Sequence, residues 1–388
     1  MKLAWIVLIV ALLLSSILLP IGYFNYQRQG KAQNNQVYVG VTFGLNTTSQ
    51  AKQLIDKVKG YTNLFIVDSW TLDTVNEPVN GTTLSQVCDY AVSQGLSIIV
   101  YFAFISHIIY PWQPQWIEQA QQKYGDKLLG IYFLDEPGGK QIDIGAWGND
   151  TSVFANAKTY SDAANDYVQS LNSVQSMEDL RALGIPAFTS DYALYWYDYL
   201  AGYNCVFAEL FGTNQTIKIQ QIDLCRGAAN VQGKQWGAII TRSENNPPYV
   251  ENGTTMLEDM LIAYHAGAKY IMIFNYPTYP DTNPYGILGE EQFGAMQDFW
   301  NQLQSGQKST FGSTNAQIAL VLPKDYGWGM RRQTDNIWGL WNSDAISPLI
   351  WIKMNQLLNT YSARLDIIYN DTAFNFDGKY SKIYYWND

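Results

Sequence analysis

Histidine and cysteine are scarce in this chain: 388 residues include two histidines, His107 and His265, and three cysteines, Cys88, Cys205 and Cys225. No HExxH, paired CxxC, GxSxG, Walker loop or GxGxxG is present, which removes the zinc-hydrolase, serine-triad and nucleotide-binding readings. We therefore expect neither a metal nor another cofactor. Positive charge is also thin. The net charge is −10 and no run of Lys and Arg occurs, which argues against a nucleic-acid partner. The three cysteines fall in or beside apolar stretches and read as buried thiols; a bridge between Cys205 and Cys225 is left open. His107 reads as a hydrogen-bonded loop residue and His265 as a structural residue on an apolar helix face. Internal repeats and low-complexity stretches are missing too.

Apolar and aromatic residues are plentiful. Hydrophobic residues make up 47% of the chain, enough for a large core, and there are 13 Trp, 28 Tyr and 16 Phe. Trp and Tyr fill cores, but they also stack on sugar rings, so their excess hints at carbohydrate. At the amino terminus, Leu3–Phe24 is apolar apart from Ser15, Ser16, Pro20 and Gly22. At about 1.5 Å per residue such a run crosses a ~30 Å hydrocarbon layer. No small-x-small cleavage site follows it, which favours an uncleaved anchor over a removed signal peptide. Lys2 on one side and Arg28 and Lys31 on the other leave the orientation unsettled by charge.

Six Asn-x-Thr triplets begin at Asn46, Asn80, Asn149, Asn214, Asn252 and Asn370, all without an intervening Pro. Each is a glycosylation acceptor signal, and most also lie just before an expected helix, where Asn is a favoured cap. The two readings are compatible. They place the body outside the membrane, anchored as a single-pass protein, or secreted if the amino-terminal segment is cut.

From residue 36 onward, β-rich runs alternate with amphipathic stretches. Strands are expected at Gln36–Phe43, Asn63–Asp68, Leu96–Phe104, Leu128–Leu134, Ile185–Ser190, Asn204–Ala208, Gln235–Thr241 and Lys269–Phe274. Helices are expected between them, including one long helical region over Ala157–Leu183 and a last one at Glu290–Leu303. Eight βα units in about 270 residues predict an α/β fold, a (β/α)₈ TIM barrel. A Gly/Ser/Thr-rich link at Ser305–Ser313 then leads to a strand at Gln317–Leu322, a helix from Ser347-Pro348 to Tyr361, and strands at Arg364–Tyr369 and Lys379–Trp386. The expected layout is thus an amino-terminal transmembrane segment over 1–30, a barrel over 31–305 and a small α/β appendage over 306–388. The appendage's Trp-rich loop, Tyr326–Trp341, reads as a packing interface, with a ligand-contacting rim as the sharper alternative.

The segment Leu128–Gly139, LLGIYFLDEPGG, carries the chemistry. An apolar strand runs into two adjacent carboxylates, then Pro137, Gly138 and Gly139 turn the backbone away. Strand parity puts Leu129, Ile131 and Phe133 against the helices and Gly130, Tyr132 and Leu134 toward the barrel axis, with Glu136 continuing that face. Barrel enzymes take their reacting groups from the carboxyl ends of the strands. Here those ends offer Asp68 and Trp70, Phe104 and His107, Asp135 and Glu136, Asp191 and Tyr192, Glu209, Arg242 and Glu244, and Asn275 and Tyr276. Acids, Tyr and Trp converge where a sugar would bind.

An acid before Pro at the end of the fourth strand of such a barrel resembles the barrel glycoside hydrolases, over residues 36–305. In many of those the acid/base Glu stands before Pro at that position, which corresponds to Glu136. The common motif has Asn before that Glu, where this chain has Asp135. The adjacent pair is also similar to families in which Asp orients an acetamido nucleophile while Glu protonates the leaving oxygen. The usual second carboxylate follows strand seven, where only Glu244 is found, inside a loop; Glu209 is better placed by parity. The resemblance implies cleavage of a poly- or oligosaccharide by two carboxylates, with Glu136 as acid, Glu209 as nucleophile or base, and Asp135 and Glu244 in support. Asp68, Trp70, Asp191, Tyr192, Arg242, Asn275 and Tyr276 would bind the sugar. The rival expectation is a non-catalytic glycan-binding or surface structural protein on the same scaffold.

Overall fold

The computed structural model describes residues 36–68, 72–73, 80–102, 112–144, 157–240, 250–277, 283–305 and 316–388. Runs rich in Val, Ile, Phe and Tyr become strands whose inward positions form one shared core. These are β1 (Tyr38–Phe43), β2 (Leu64–Val67), β3 (Ser97–Phe102), β4 (Leu128–Phe133), β5 (Ala187–Asp191), β6 (Cys205–Leu210), β7 (Gln235–Ile240) and β8 (Tyr270–Ile273). They pair in parallel in chain order, and β8 pairs back onto β1, closing the barrel. The eight-unit expectation is met. Leu64, Ile66, Ile99, Tyr101, Tyr132, Phe188, Phe207 and Tyr270 fill the interior. Phe188 stacks on Phe207 at 5.9 Å and meets Tyr270 edge-on at 5.2 Å. Such a barrel is a packed core with function only at its rim.

The helices outside are α1 (Thr48–Val58), α2 (Gly81–Ser93), α3 (Trp112–Tyr124), α4 (Pro137–Ile142), α5 (Tyr160–Asn172), α6 (Gln175–Leu183), α7 (Tyr195–Leu200), α8 (Gln215–Gln232), α9 (Gly253–His265) and α10 (Glu290–Gln304). Asn80, Asn214 and Asn252 cap α2, α8 and α9 through their side-chain oxygens, each accepting N–H groups of the first turn. They are exposed, as are Asn46 and Asn370; Asn149 lies outside the described residues.

Two local expectations are corrected and one open question is closed. The helical region over 157–183 is two helices, because Val174 takes an extended conformation (φ −65°, ψ 129°) between them. Arg181 fastens the break by donating to the Asn172 side chain and carbonyl. Leu129 packs against the interior cluster, since a register shift between Ile98 and Ile99 slips it out of the parity of β4. Cys205 and Cys225 are free, buried thiols with no bridge between them, and Cys88 is a third.

Beyond the barrel, β9 (Ile318–Leu322), α11 (Ser347–Tyr361), β10 (Leu365–Tyr369) and β11 (Lys382–Tyr385) build a three-stranded parallel sheet in the order β10-β9-β11. It is fastened to α8. Arg226 donates to Asp366 at 2.7 Å, to Asp223 at 3.0 Å and to the carbonyls of Ala363 and Leu365. Gly227 lets the two elements meet, since a Cβ there would lie 2.7 Å from the Ile367 carbonyl oxygen. The Trp-rich loop is a packing interface: Trp328 and Trp338 are buried, and Gln141 of α4 donates to the Trp338 carbonyl at 2.8 Å. No helix among the described residues is long and apolar enough to cross a membrane. The apolar run Leu3–Phe24 and most of the link at Ser305–Ser313 lie outside the described residues.

Candidate active site

The turn after β4 carries the most conspicuous backbone of the barrel mouth. Leu134 (φ 56°) and Glu136 (φ 50°) are both left-handed, on either side of Asp135. For side chains of this size such a conformation costs of order 1 kcal/mol per residue and survives only where surroundings enforce it. Those surroundings are visible. Thr189 donates to the Leu134 carbonyl at 2.7 Å, the Glu136 N–H donates to the Ser190 carbonyl at 3.1 Å, and Tyr203 donates to the Phe133 carbonyl at 3.0 Å. Pro137 then opens α4, and Asp191 receives its first N–H groups: Gly138 at 2.5 Å and Gly139 at 2.7 Å, besides its own neighbours Tyr192 and Ala193.

Four carboxylates gather here. Asp135 and Glu136 come from the end of β4, half-buried. Glu209 comes from β6, within the strand and 9% exposed, on the inward face it shares with Phe207. Asp68 follows β2, and its Oδ1 is buried with no hydrogen-bond partner. Burial pushes the Glu209 carboxyl well above its usual range, and the charges of Glu136 and Asp135 push it further, against the Ser190 hydroxyl that donates to it at 2.6 Å. Burial raises Asp68 likewise, with Asp135 adding to the effect. Tyr101, inward on β3, faces Asp135, Asp68 and Glu136 and is raised by burial and by their charges. Among the described residues Lys140 brings a cation to the group, donating to the Asp135 carbonyl at 2.6 Å and to its carboxylate at 3.4 Å. A buried carboxyl held neutral beside a half-exposed carboxylate is the arrangement that separates acid from base on one surface.

Other expected site residues go elsewhere. Asp191 is fully buried and spends its oxygens on the turn into α4; it does not open onto a cleft. Tyr192 lies beneath the Arg331 guanidinium, 5.4 Å from its carbon, and donates to Asp143. Asn275 is fully buried, with its side-chain oxygen accepting the Ile287 N–H and its backbone tied to Thr42. All three fasten loops, because a turn at a strand end needs acceptors for its N–H groups before it can present anything. Tyr276 is half-buried and tilted against Phe274 at 5.4 Å. Trp70, Phe104's loop with His107, Arg242 and Glu244 lie outside the described residues. Sequence reasoning passed over Ser190, Tyr132 and Tyr101. A usable signal existed for the first: Ser190 shares the inward parity of Phe188, where a hydroxyl among greasy positions needs a partner. Among the described residues no three His, Cys, Asp or Glu are grouped to hold a metal ion.

No protein-family model matches this chain, and no curated protein matches it. Many solved structures do. A GH5_18 protein from Streptomyces cattleya, in complex with Manβ1-4GlcNAc, shares 12% identity and a TM-score of 0.53 over 91% of this chain and all of its own. An endo-β-1,4-mannanase from Thermotoga petrophila shares 8% identity and a TM-score of 0.47, over 71% of this chain and 78% of that one. An orotidine 5′-monophosphate decarboxylase from Methanocaldococcus jannaschii also matches, at 9% identity and a TM-score of 0.37 over 69% and 99%. The likeness is one of fold. Glycoside hydrolases recur among these neighbours, and no single family is assigned.

Proposed function

We propose that this chain is a hydrolase that cleaves glycosidic bonds of an oligo- or polysaccharide at the carboxyl end of its barrel. The observation that carries the reading is Glu209: an inward, buried carboxyl at the barrel mouth whose strongest charged neighbour is Glu136. Glycosidic cleavage needs one neutral carboxylic acid at the leaving oxygen and one carboxylate for the sugar or its attacking water. In the resemblance-based expectation Glu136 was the acid and Glu209 its partner. The opposite assignment is supported by burial, which raises the Glu209 carboxyl, while Glu136 is half-exposed. Asp135 and Glu136, whose charges act on Glu209, supply the negative field that favours a developing oxocarbenium cation, and Tyr101 lines the floor.

The same reading places the body outside the membrane, held by Leu3–Phe24, with glycans on the exposed Asn-x-Thr sites. Retention of the protein in membranes after alkaline extraction tests the anchor; release into the supernatant removes it. The catalytic reading is tested by screening the full-length protein in detergent against a polysaccharide panel, with β-mannosides included because the S. cattleya structure holds one. Reducing ends released by the wild type and not by Glu136→Gln are the expected result. Binding of a glycan without turnover, unchanged by that substitution, would instead make the barrel a glycan-binding protein.

A further inference from the structure

Tyr132 and Ser190 link two of the carboxyls in an unbroken line of oxygens. Glu209 Oε1 lies 2.6 Å from Ser190 Oγ, Ser190 Oγ 2.7 Å from the Tyr132 hydroxyl, and that hydroxyl 2.9 Å from Asp135 Oδ1. The Ser190 N–H donates to the Tyr132 oxygen at 2.8 Å and fixes it from the side. Three O···O links therefore need three hydrogens, and the two hydroxyls supply only two. If Tyr132 donates to Asp135 and Ser190 to Glu209, the middle pair of oxygens faces each other at 2.7 Å with nothing between them. The missing hydrogen has two places to come from, a carboxyl at either end.

We propose that Ser190 and Tyr132 form a proton relay through which Glu209 and Asp135 share one proton. This rests on the hydrolytic reading for its use, but not for its existence. With the proton on Glu209, the donors run Glu209 to Ser190 to Tyr132 to Asp135. With it on Asp135, every donor reverses and every link is again satisfied. Transfer moves the Glu209 proton to Ser190 Oγ, the Ser190 proton to the Tyr132 oxygen and the Tyr132 proton to Asp135 Oδ1. Three O–H bonds break, three form, and no electrons change hands. In a glycan-cleaving cycle the relay gives the buried acid a second source of its proton, on the side of Asp135 that also meets Lys140 at 3.4 Å. Ser190 and Tyr132 are positioning residues, because they act through the carboxyls. Among the described residues, the charged and titratable groups around the line are Glu136, Asp191 and Tyr195 toward Glu209, and Asp68, Tyr101, Tyr203 and Lys140 toward Asp135.

The two ends of the relay respond oppositely when it is cut. Tyr132→Phe removes the middle oxygen, so the Ser190 proton alone satisfies an ionised Glu209 and the shared proton is no longer demanded. Ser190→Ala strips Glu209 of its donor and leaves its burial. The readout is infrared pH-difference spectroscopy of the full-length protein, with the Glu209 carbonyl band assigned by its loss in Glu209→Gln. The relay predicts that proton release from this band moves down by about one pH unit or more in Tyr132→Phe and does not move down in Ser190→Ala. Asp135→Asn removes the charge that raises Glu209 and offers an amide N–H to the Tyr132 oxygen, so it also moves release downward and serves if Tyr132→Phe does not fold. Release at the wild-type pH in Tyr132→Phe, or in Asp135→Asn, overturns the relay. The spectra need no substrate, so a wild type without glycan turnover defeats the hydrolytic reading and leaves this test standing. Where turnover exists, the basic limb of the kcat profile follows the band and KM does not.

Discussion

Asp198 shows what a single buried carboxyl does behind the barrel mouth. It lies on α7, fully buried, and accepts from Tyr167 at 2.5 Å. Burial pushes both Asp191 and Asp198 upward; the four N–H donors hold the charge on Asp191 and leave the proton of the pair on Asp198, raised from 3.8 to about 8. A folded carboxyl that holds its proton more tightly than the unfolded one contributes stability that is complete below 3.8 and is lost as pH climbs toward 8. Thermal melts of the wild type should therefore fall in Tm across that interval, and Asp198→Asn should flatten the slope. A slope of equal size in both proteins would remove Asp198 from the account. At this scale the sequence was partly legible. Parity found Glu209, and the bend at Pro137 found Asp135 and Glu136. It could not separate Asp191 and Asn275, which secure turns, from acids that face a ligand, because both kinds stand at strand ends. Nor could it reveal Ser190 and Tyr132 as partners, since their meeting joins residues 58 apart.

Among the elements, α4 matters most to the site and was the one least visible beforehand. Six residues opened by Pro137 carry no apolar periodicity, so the pattern offered a turn where the structure has a helix. Its stability is tertiary. The Trp-rich loop presses on one side, and Arg331 grips the end of α4 through a two-point bond to Asp143 at 2.6 and 2.8 Å while also holding Asp335. On the other side Gly139 lets Tyr192 lie flat: a Cβ there would sit 2.1 Å from the Tyr192 ring. Gly139→Ala should force the ring aside and cost about 1–3 kcal/mol by overpacking. Urea unfolding would register this as a lower midpoint at unchanged m-value. An unaltered midpoint would mean that the ring is not held as described. Strand and helix order elsewhere followed from alternation alone, because inward positions of a closed barrel must be apolar and its helices amphipathic. The break at Val174 and the slip at Leu129 depend on neighbouring elements, so no local pattern announces them.

For the molecule as a whole, the barrel and the carboxyl-terminal sheet act as one piece because a buried charge network spans them. Arg226 is 2% exposed, and Asp366 and Asp223 are fully buried around it. Their charges hold the guanidinium protonated despite its burial. Arg226→Met would leave two buried carboxylates without their cation, a change that typically costs about 3–5 kcal/mol. Loss of that size in the equilibrium unfolding free energy, and earlier proteolysis of the sheet, are the expected outcomes; stability equal to the wild type would show the network to be ornamental. The sheet in turn supplies the loop that braces α4, so the appended segment contributes to the geometry of Glu136 from outside the barrel. The most direct measurement of the central claim is kcat for release of reducing ends by the full-length protein and by its Glu209→Gln variant on the best glycan of the panel, with glycan binding measured in parallel. The account predicts a fall of about 10²–10⁴-fold in kcat with binding retained, and turnover by Glu209→Gln at the wild-type rate would contradict it.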